Sequence, residues 1–435
     1  MRAPYLTGLL ASEISRLTRY VDELITLDTD SPETQLVDQI ACAEKRSLPL
    51  ESFSVISNPA GAAHCLGNHA VLLDTDLSRC FDIQELFLKI KQGCSRSTRL
   101  IVITENYFLR ECKSLFDHYL RGKQKDSTSL SRIALRNLAH LSGFEVVRER
   151  PIAFIPHSLG GVGTFINSAL TSIPFVRRCA LYEVSTLRPI IECENQPSIS
   201  IVIPARDERE NIRPALERLP QSLGEVEIIF VEGHSSDGTW EEIKKVESEF
   251  NERYRIKSFQ QTGVGKADAV RLGFSHAKND LLTILDADLT MPPELLPRFY
   301  NAYVESLGDF INGNRLLYPM ESEAMRFLNR IGNGFFAGLL SFVLEQQLGD
   351  SLCGTKMFSR VDYSRMVQWR EDFGDFDPFG DFELLFPAAT LGLGIVDVPI
   401  RYRDRVYGST SIHRFRHGLM LLRMAVVGFL KIRAG

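Results

Sequence analysis

The sequence predicts an α/β protein built from two domains, and three observations carry that prediction. The chain has 435 residues, enough for two hydrophobic cores. Apolar runs of strand length alternate with amphipathic helical segments in both halves. In the second half, acidic and polar residues gather where successive strands end, and open α/β sheets bind ligands at the carboxyl ends of their strands. A hydrophobic content of 44% and a charged content of 24% are ordinary for a soluble globular protein. The formal net charge of −5 speaks against a nucleic-acid partner.

The eight cysteines (Cys42, Cys65, Cys80, Cys94, Cys112, Cys179, Cys193 and Cys353) are scattered, with no Cys-x-x-Cys and no Cys/His cluster. That spacing excludes a zinc ribbon and a disulfide scaffold, and fits a reducing cytoplasm. The N-terminus Met1-Arg2-Ala3-Pro4-Tyr5 lacks the apolar core of a signal peptide. No run reaches the roughly eighteen apolar residues of a membrane span. The nearest, Ile331 to Leu344 and Gly418 to Ile432, end at Glu345 and are broken by Arg423 respectively.

In the first half, the expected elements are a helix around Leu9 to Ile25, a strand at Ala70–Asp74, and an amphipathic helix at Asp82–Gln92 with Ile83, Leu86, Phe87 and Ile90 on one face. A strand at Arg99–Thr104, a helix at Leu130–Ser142 closed by Gly143, and a strand at Phe144–Glu149 follow. This alternation implies a parallel sheet. Residues 159–197 read as a connecting helix and linker, with the polar, Pro-containing Glu192–Ser198 as the boundary.

The second half is organised around Leu281–Thr290. Its apolar start reads as a buried strand, running into Asp286 and Asp288. Positions two apart on a strand face one side, so the two carboxylates can point together. A divalent cation with oxygen ligands, magnesium or manganese, relieves their repulsion. A solvated acidic turn is the plainer alternative. Strands are also expected at Ile199–Pro204, Glu227–Val231, Arg255–Phe259, Phe310–Asn312 and Leu352–Phe358. Gly265-Lys266 lacks the earlier Gly and the following Ser or Thr of a P-loop.

Four ordered motifs carry a resemblance: "VIPARDERENI", "FVEGHSSDGT", "GKADAVRLGF" and "LLTILDADLTMPPE". Over residues 198 to about 415 the chain resembles family 2 glycosyltransferases of the dolichol-phosphate mannose synthase type. The resemblance implies a GT-A fold over 198–416, a Rossmann-like mixed sheet with helices on both faces. It also implies a nucleotide-sugar donor, a metal at Asp286 and Asp288, and transfer to a polyprenyl phosphate or another lipid-linked or glycan acceptor. The implied nucleotide contacts are Pro204, Ala205, Asp207, Glu208, Glu232, Asp237, Lys266, Asp268 and Asp286. The implied phosphate and acceptor contacts are Arg315, Arg326, Arg403 and Ser409. Asp207 stands where the family usually has Asn, and Glu232-Gly233 replaces its usual acidic pair. Glu208 can instead serve a helix macrodipole and Asp237 can be a simple cap.

Asp381, at the mouth of the implied acceptor site, is the candidate general base, with Glu383 second and a capping role as the alternative. The cationic run Arg401–Ser411 is similar to the loop with which the family closes on the diphosphate. Arg405 is the expected clamp there, because guanidinium groups hold phosphate oxygens bidentately. The C-terminal stretch 417–435 is expected as an amphipathic helix. Its flanking Arg414 and Arg416, with Leu421, Leu422, Val426 and Val427, suit an anionic membrane surface, or else the protein's own core.

The first half, over roughly residues 65–185, resembles the second half of a class I S-adenosylmethionine-dependent methyltransferase through "AVLLDTDLSRCFDIQELFLKI", "RLIVIT" and "LAHLSGFEVV". No strand followed by a Gly-rich turn is evident before Ala70. Residues 1–158 are therefore expected to be a truncated or degenerate smaller α/β domain that binds no S-adenosylmethionine. The chain as a whole reads as a metal-dependent inverting glycosyltransferase, cytoplasmic and peripheral on the membrane's cytoplasmic face. The alternatives are a non-catalytic nucleotide-sugar-binding scaffold and a bifunctional methyltransferase-glycosyltransferase.

Overall fold

The computed structural model describes residues 3–28, 34–50, 53, 68–77, 80–121, 130–171, 173, 176–318, 327–374, 377, 380–403, 405, 407 and 414–434. The chain divides into two compact units, Met1–Ile191 and Glu192–Arg433.

The first unit holds six strands: β1 (Glu23–Asp28), β2 (Glu44–Pro49), β3 (His69–Leu73), β4 (Arg99–Glu105), β5 (Phe144–Ile152) and β6 (Tyr182–Pro189). They lie in the order β2-β1-β3-β4-β6-β5. The first four are mutually parallel, and β6 runs antiparallel to both β4 and β5. Side chains alternate between two cores. Ile25, Leu27, Val71, Leu73, Leu100 and Val102 pack in one. Leu24, Ala70, Leu72, Ile101 and Ile103 pack in the other.

Three expectations are corrected here. The first helix is Pro4–Thr18 and ends before Ile25, because Leu24 and Ile25 belong to β1. That strand is buried on both faces, so it carries no polar alternation by which to read it. Residues 159–197 are more than a linker: after the helix Val162–Thr171 they supply β6. Its polar residues hid it. Arg188 is wholly buried and donates to Glu145 at 2.6 Å. Because β6 is antiparallel, the sheet is mixed where a parallel one was expected.

The second unit holds β7 (Ile199–Ala205), β8 (Val226–Glu232), β9 (Arg255–Gln260), β10 (Leu281–Ile284), β11 (Phe310–Asn314), β12 (Lys356–Ser359) and β13 (Ile395–Pro399). Their order is β13-β11-β12-β10-β7-β8-β9. β10, β7, β8 and β9 are parallel, while β12 runs antiparallel to β10 and β11. The sheet is mixed, as expected. The strand expected over 352–358 is shorter and later, at Lys356–Ser359. Ile201, Ile203, Ile228 and Phe230 pack with Ile212 and Leu216 of the helix Arg209–Glu217. The helix Lys266–His276 comes so close to β7 that a Cβ on Gly273 would strike Val202. Only glycine lets that helix approach, and the approach fixes where Lys266 starts.

The C-terminal helix spans Arg414–Gly428 and continues as a π-helical turn to Ala434. It packs on the helix Phe327–Leu344. Leu421, Met424 and Ala425 are buried against the protein, so Leu421 does not join the outward face expected for it. Leu419, Leu422, Val426 and Leu430 are exposed at spacings of three and four. No described helix is long and apolar enough to cross a membrane.

Candidate functional site

The loops at the carboxyl ends of β7, β8 and β10 brace one another. After β7, Asp207 adopts a left-handed φ of 53°. Its amide donates to Ser235 Oγ at 3.0 Å, and its carboxylate accepts from the Ser236 amide at 2.8 Å. Asp237 accepts from the Thr239 amide at 3.0 Å and the Arg209 amide at 3.2 Å. Burial opposes its charge, but these bonds, with that of the Thr239 hydroxyl, hold its pKa below the usual carboxylate range. Asp237 therefore holds the first amide of the helix Thr239–Phe250, whose N-cap residue is Gly238, and it also ties the two loops together. Pro204 and Ala205 close β7, and the Gly233 amide donates to the Ala205 carbonyl.

Glu232 is buried. It accepts from the Ser235 amide at 2.5 Å and from Gln260 at 3.2 Å. It shapes its own loop rather than facing outward. Glu208 accepts from Asn211 at 2.6 Å and lies 3.6 Å from Arg405. Burial raises its pKa, Asn211 and Arg405 oppose the rise, and Asp288 and Asp237 add to it.

The two central carboxylates do not sit on a strand. β10 ends at Ile284, and Asp286 and Asp288 lie in the turn that follows, closed by the Leu289 amide on the Asp286 carbonyl. The strand-alternation argument therefore does not apply, and each carboxylate holds its own cation. Lys266 Nζ lies 2.5 Å from Asp286 Oδ1. Arg405 Nη2 lies 2.5 Å from Asp288 Oδ2, and Thr290 donates to the other oxygen of Asp288 at 2.8 Å. Burial works against the Asp286 charge, but Lys266 outweighs it, with Lys356 and Arg315 beyond, and keeps this pKa low. The same pairing keeps the Lys266 pKa above its ordinary value, Asp286 and then Asp381 overcoming desolvation. A side chain at Gly354 would strike both Asp286 and Lys266.

Asp381 begins the helix Phe382–Thr390 but does not cap it. The cap is Asp377, which accepts from the Phe382 amide at 2.6 Å and the Glu383 amide at 3.0 Å. Asp381 instead accepts from Lys356 Nζ at 2.5 Å. The Lys356 side chain is 0% exposed and also donates to the Cys353 carbonyl. Glu383 is engaged with Arg271 at 3.0 Å, and burial raises its pKa.

Arg315 is not open for a phosphate. It donates to both oxygens of buried Asp350, at 2.6 and 2.8 Å, and its guanidinium stands over the Tyr402 ring. The Arg403 side chain is exposed, and its amide donates to the Thr290 carbonyl at 2.9 Å. The carboxylate of Asp268 lies over the Gly263 backbone. Arg326 and Ser409 lie outside the described residues, as do the side chains of Arg414 and Arg416. Lys356 and Asp350 were missed in the sequence. The available signal was a lysine between Thr355 and the apolar Met357-Phe358 at the start of a core strand, since a lysine so placed needs a buried counter-charge.

The donor set suits a hard divalent cation. Asp286 and Asp288 offer carboxylate oxygens, and cationic nitrogen already stands against both. Among the described residues no group of three or more His, Cys, Asp or Glu is placed to hold a metal. The remaining ligands of such an ion would be water and substrate phosphate, as magnesium sites commonly use.

Residues 200–366 match the model of glycosyl transferase family 2. That match lies wholly within the second unit. A dolichol-phosphate mannosyltransferase of Pyrococcus furiosus is 31% identical over 136 residues, which cover 31% of this chain and 37% of the relative. A dolichyl-phosphate hexose transferase of Haloferax volcanii is 28% identical over 221 residues, 51% of this chain and 89% of the relative. The chain thus spans little more than a third of the first relative and most of the second. Among solved structures, the mannosyltransferase PcManGT of Pyrobaculum calidifontis, in complex with GDP-Man and Mn2+, is 18% identical with a TM-score of 0.37. That match covers 56% of this chain and 66% of the other. The glycosyltransferase match begins within β7 and ends within the helix Arg360–Phe373, so Asp381 and Arg405 lie beyond it.

Proposed function

We propose that the second unit is an inverting glycosyltransferase of the GT-A fold that moves a sugar from a nucleoside-diphosphate sugar to a polyprenyl phosphate. The observation that carries this reading is the paired arrangement Lys266–Asp286 and Arg405–Asp288 at the carboxyl ends of the parallel strands. Two cations and two carboxylates together form a seat for a diphosphate and its counter-ion. Asp286 and Asp288 would hold a magnesium or manganese ion, which when bound supplies charge neutralisation to the departing diphosphate. Lys266 and Arg405 turn their nitrogens to the phosphate oxygens, and exposed Arg403 adds charge at the rim. Asp207, Glu208 and Asp237 shape the pocket for the nucleoside through their braced loops. Asp381, fixed by Lys356, faces the acceptor. A phosphate acceptor has its second ionisation near 6 and is already a nucleophile at neutral pH, so Asp381 then orients it. The names of the relatives, dolichol-phosphate mannosyltransferase and dolichyl-phosphate hexose transferase, support that acceptor class.

The exposed stripe Leu419, Leu422, Val426 and Leu430, with exposed Arg423 and Lys431 beside it, supports contact with an anionic bilayer where such an acceptor resides. We read the first unit as a degenerate methyltransferase-like domain. Its parallel strands flanked by an antiparallel one support this, and residues 23–39, from the start of β1 to the end of the helix Thr34–Gln39, hold no glycine to admit a cofactor. The testing experiment is transfer of radiolabelled sugar from GDP- or UDP-sugars to undecaprenyl or dolichyl phosphate. Binding of nucleotide sugar with neither transfer nor hydrolysis would leave a scaffold.

A further inference from the structure

The helix Tyr107–Arg121 of the first unit turns its polar side to the protein and its apolar side to solvent. Arg110, Glu111 and Ser114 lie on the half-buried side, where Arg110 is bidentate on Asp76 at 2.9 and 3.1 Å. On the opposite side Phe108, Leu115 and Tyr119 are exposed, with Cys112 exposed between them. Leu109 and Phe116 flank that row and are exposed as well. None of the helix's described side chains is buried. A helix of 15 residues is marginal in water unless an apolar face packs. This one is nonetheless fixed at its start, where Asn106 accepts from the Phe108 and Leu109 amides at 3.0 and 3.3 Å.

The spacing selects what covers the apolar side. Phe108, Cys112, Leu115 and Tyr119 follow one another at intervals of four, three and four, the seam of a two-helix coiled coil. Those intervals read the same in both directions. We propose that this helix is a self-association surface, through which two copies of the chain pair antiparallel about a two-fold axis. Phe108 then meets the partner's Tyr119, and Cys112 the partner's Leu115. On one edge of the seam Leu109 meets the partner's Phe116, apolar on apolar. On the other edge Glu111 meets the partner's His118, a carboxylate against an imidazole that can donate. A parallel pair would set Glu111 beside the partner's Phe116 instead. The rings of Phe108, Phe116 and Tyr119 are 68%, 53% and 80% exposed. At the usual 150–250 Å² per aromatic side chain they offer about 400 Å² per copy. That is about half of one partner's share in a standard interface, before the leucines are counted, so the pairing is reversible. The charges along the helix are mixed, Glu111 and Asp117 with Arg110, Lys113 and Arg121, whereas helices that lie on membranes are rich in Lys and Arg.

The test is sedimentation velocity of the full chain across micromolar concentrations, which should show a reversible monomer–dimer equilibrium. Leu115→Glu puts a carboxylate at the centre of the seam and should leave the chain monomeric throughout. The position is exposed, so the fold should stay intact by circular dichroism. His118→Glu sets like charges against the partner's Glu111, twice by symmetry, and should weaken the dimer about fivefold. Glu111→Lys combined with His118→Glu should restore it. These two polar positions decide the question even if Leu115→Glu fails to fold. A monomer at every concentration would overturn the proposal, as would a dimer indifferent to Leu115→Glu. A charge swap that restores nothing would overturn the antiparallel register. Monomers whose binding to anionic vesicles is lost in Leu115→Glu would give the apolar side to a lipid surface and overturn the proposal too.

Discussion

Arg405 bridges two carboxylates from different loops, lying 2.5 Å from Asp288 Oδ2 and 3.6 Å from Glu208 Oε1. A guanidinium held by two carboxylates is placed before the ligand arrives, and preorganised charge of that kind stabilises a leaving diphosphate as it gains charge. Arg405→Ala should lower turnover by about 2.7–4 kcal/mol in barrier terms. Arg403→Ala, at an exposed position, should mainly raise KM. Steady-state kinetics with either acceptor class checks both, and an unchanged kcat in Arg405→Ala would discard the clamp.

Asp286 and Asp288 each hold one cation in the ligand-free protein. A nucleoside diphosphate brings two or more negative charges to the same place. Its binding should therefore need a divalent cation. Calorimetry with GDP and with UDP, in manganese and again after chelation, should show affinity collapsing without metal. Asp288→Asn should weaken the metal requirement and also loosen Arg405. Equal affinity with and without chelator would sink the metal assignment.

Arg315 and Asp350 form a buried bidentate pair. Removing one partner leaves the other charge buried alone, which typically costs about 3–5 kcal/mol. Asp350→Asn should therefore lower the unfolding free energy of the second unit by about that amount at neutral pH. The pH dependence has a definite sign. Burial alone would raise the Asp350 pKa, but the hydrogen bonds and charge of Arg315 bring it below its ordinary value. A depressed folded pKa contributes stability above the unfolded value of about 3.9 and loses it as pH falls through the folded one. The gap between wild type and variant should be widest near pH 7 and should close below about pH 4. A gap independent of pH would mean that the carboxylate charge is not what holds Arg315.

Much of the second unit was legible because its strands are short apolar runs that end in polar loops. Ile199–Ala205, Val226–Glu232 and Leu281–Ile284 each announce their own ends. Partners were not legible. Nothing in the order of residues says that Arg405 meets Asp288, 117 positions away, or that Lys356 meets Asp381, 25 positions away. Arg315 was expected at a phosphate only because the family resemblance implies it, and only the fold reveals Asp350 beneath it. In the first unit, β6 was hidden by Glu183, Ser185 and Arg188, buried polar residues in a strand, two of which are matched by charges the sequence does not point to, Glu183 by Arg132 and Arg188 by Glu145.

Leu422 and Val426 stand on the outward stripe of the C-terminal helix, while Leu421 and Met424 pack inward. Leu422→Glu should therefore reduce co-sedimentation with anionic vesicles without unfolding the protein. Leu421→Glu should instead lower its melting temperature. Binding should also fall with salt, since each basic residue near such a surface contributes about 1 kcal/mol that salt screens. Vesicle binding that is absent at every salt concentration would assign the stripe to another partner.

Lys356 and Asp381 should separate by a double-mutant cycle, and the cycle also identifies the acceptor. Lys356 is wholly buried and Asp381 nearly so, so Lys356→Met strands a carboxylate and should cost about 3–5 kcal/mol of stability. Asp381→Asn in the same background removes the stranded charge and should restore much of that loss. Turnover should behave differently. Asp381→Asn keeps the size of the side chain but removes the proton acceptor. With a hydroxyl acceptor, whose proton must be taken, this should cost roughly 10²–10⁴-fold in kcat. With a phosphate acceptor no proton is taken, and the loss should be far smaller and appear mainly in KM. The double variant should regain stability without regaining turnover on a hydroxyl acceptor. A small loss with polyprenyl phosphate supports the proposed acceptor. A large loss with a sugar hydroxyl would discard that acceptor and keep the glycosyltransferase. Stability that stays low in the double variant would show that Lys356 does more than hold Asp381.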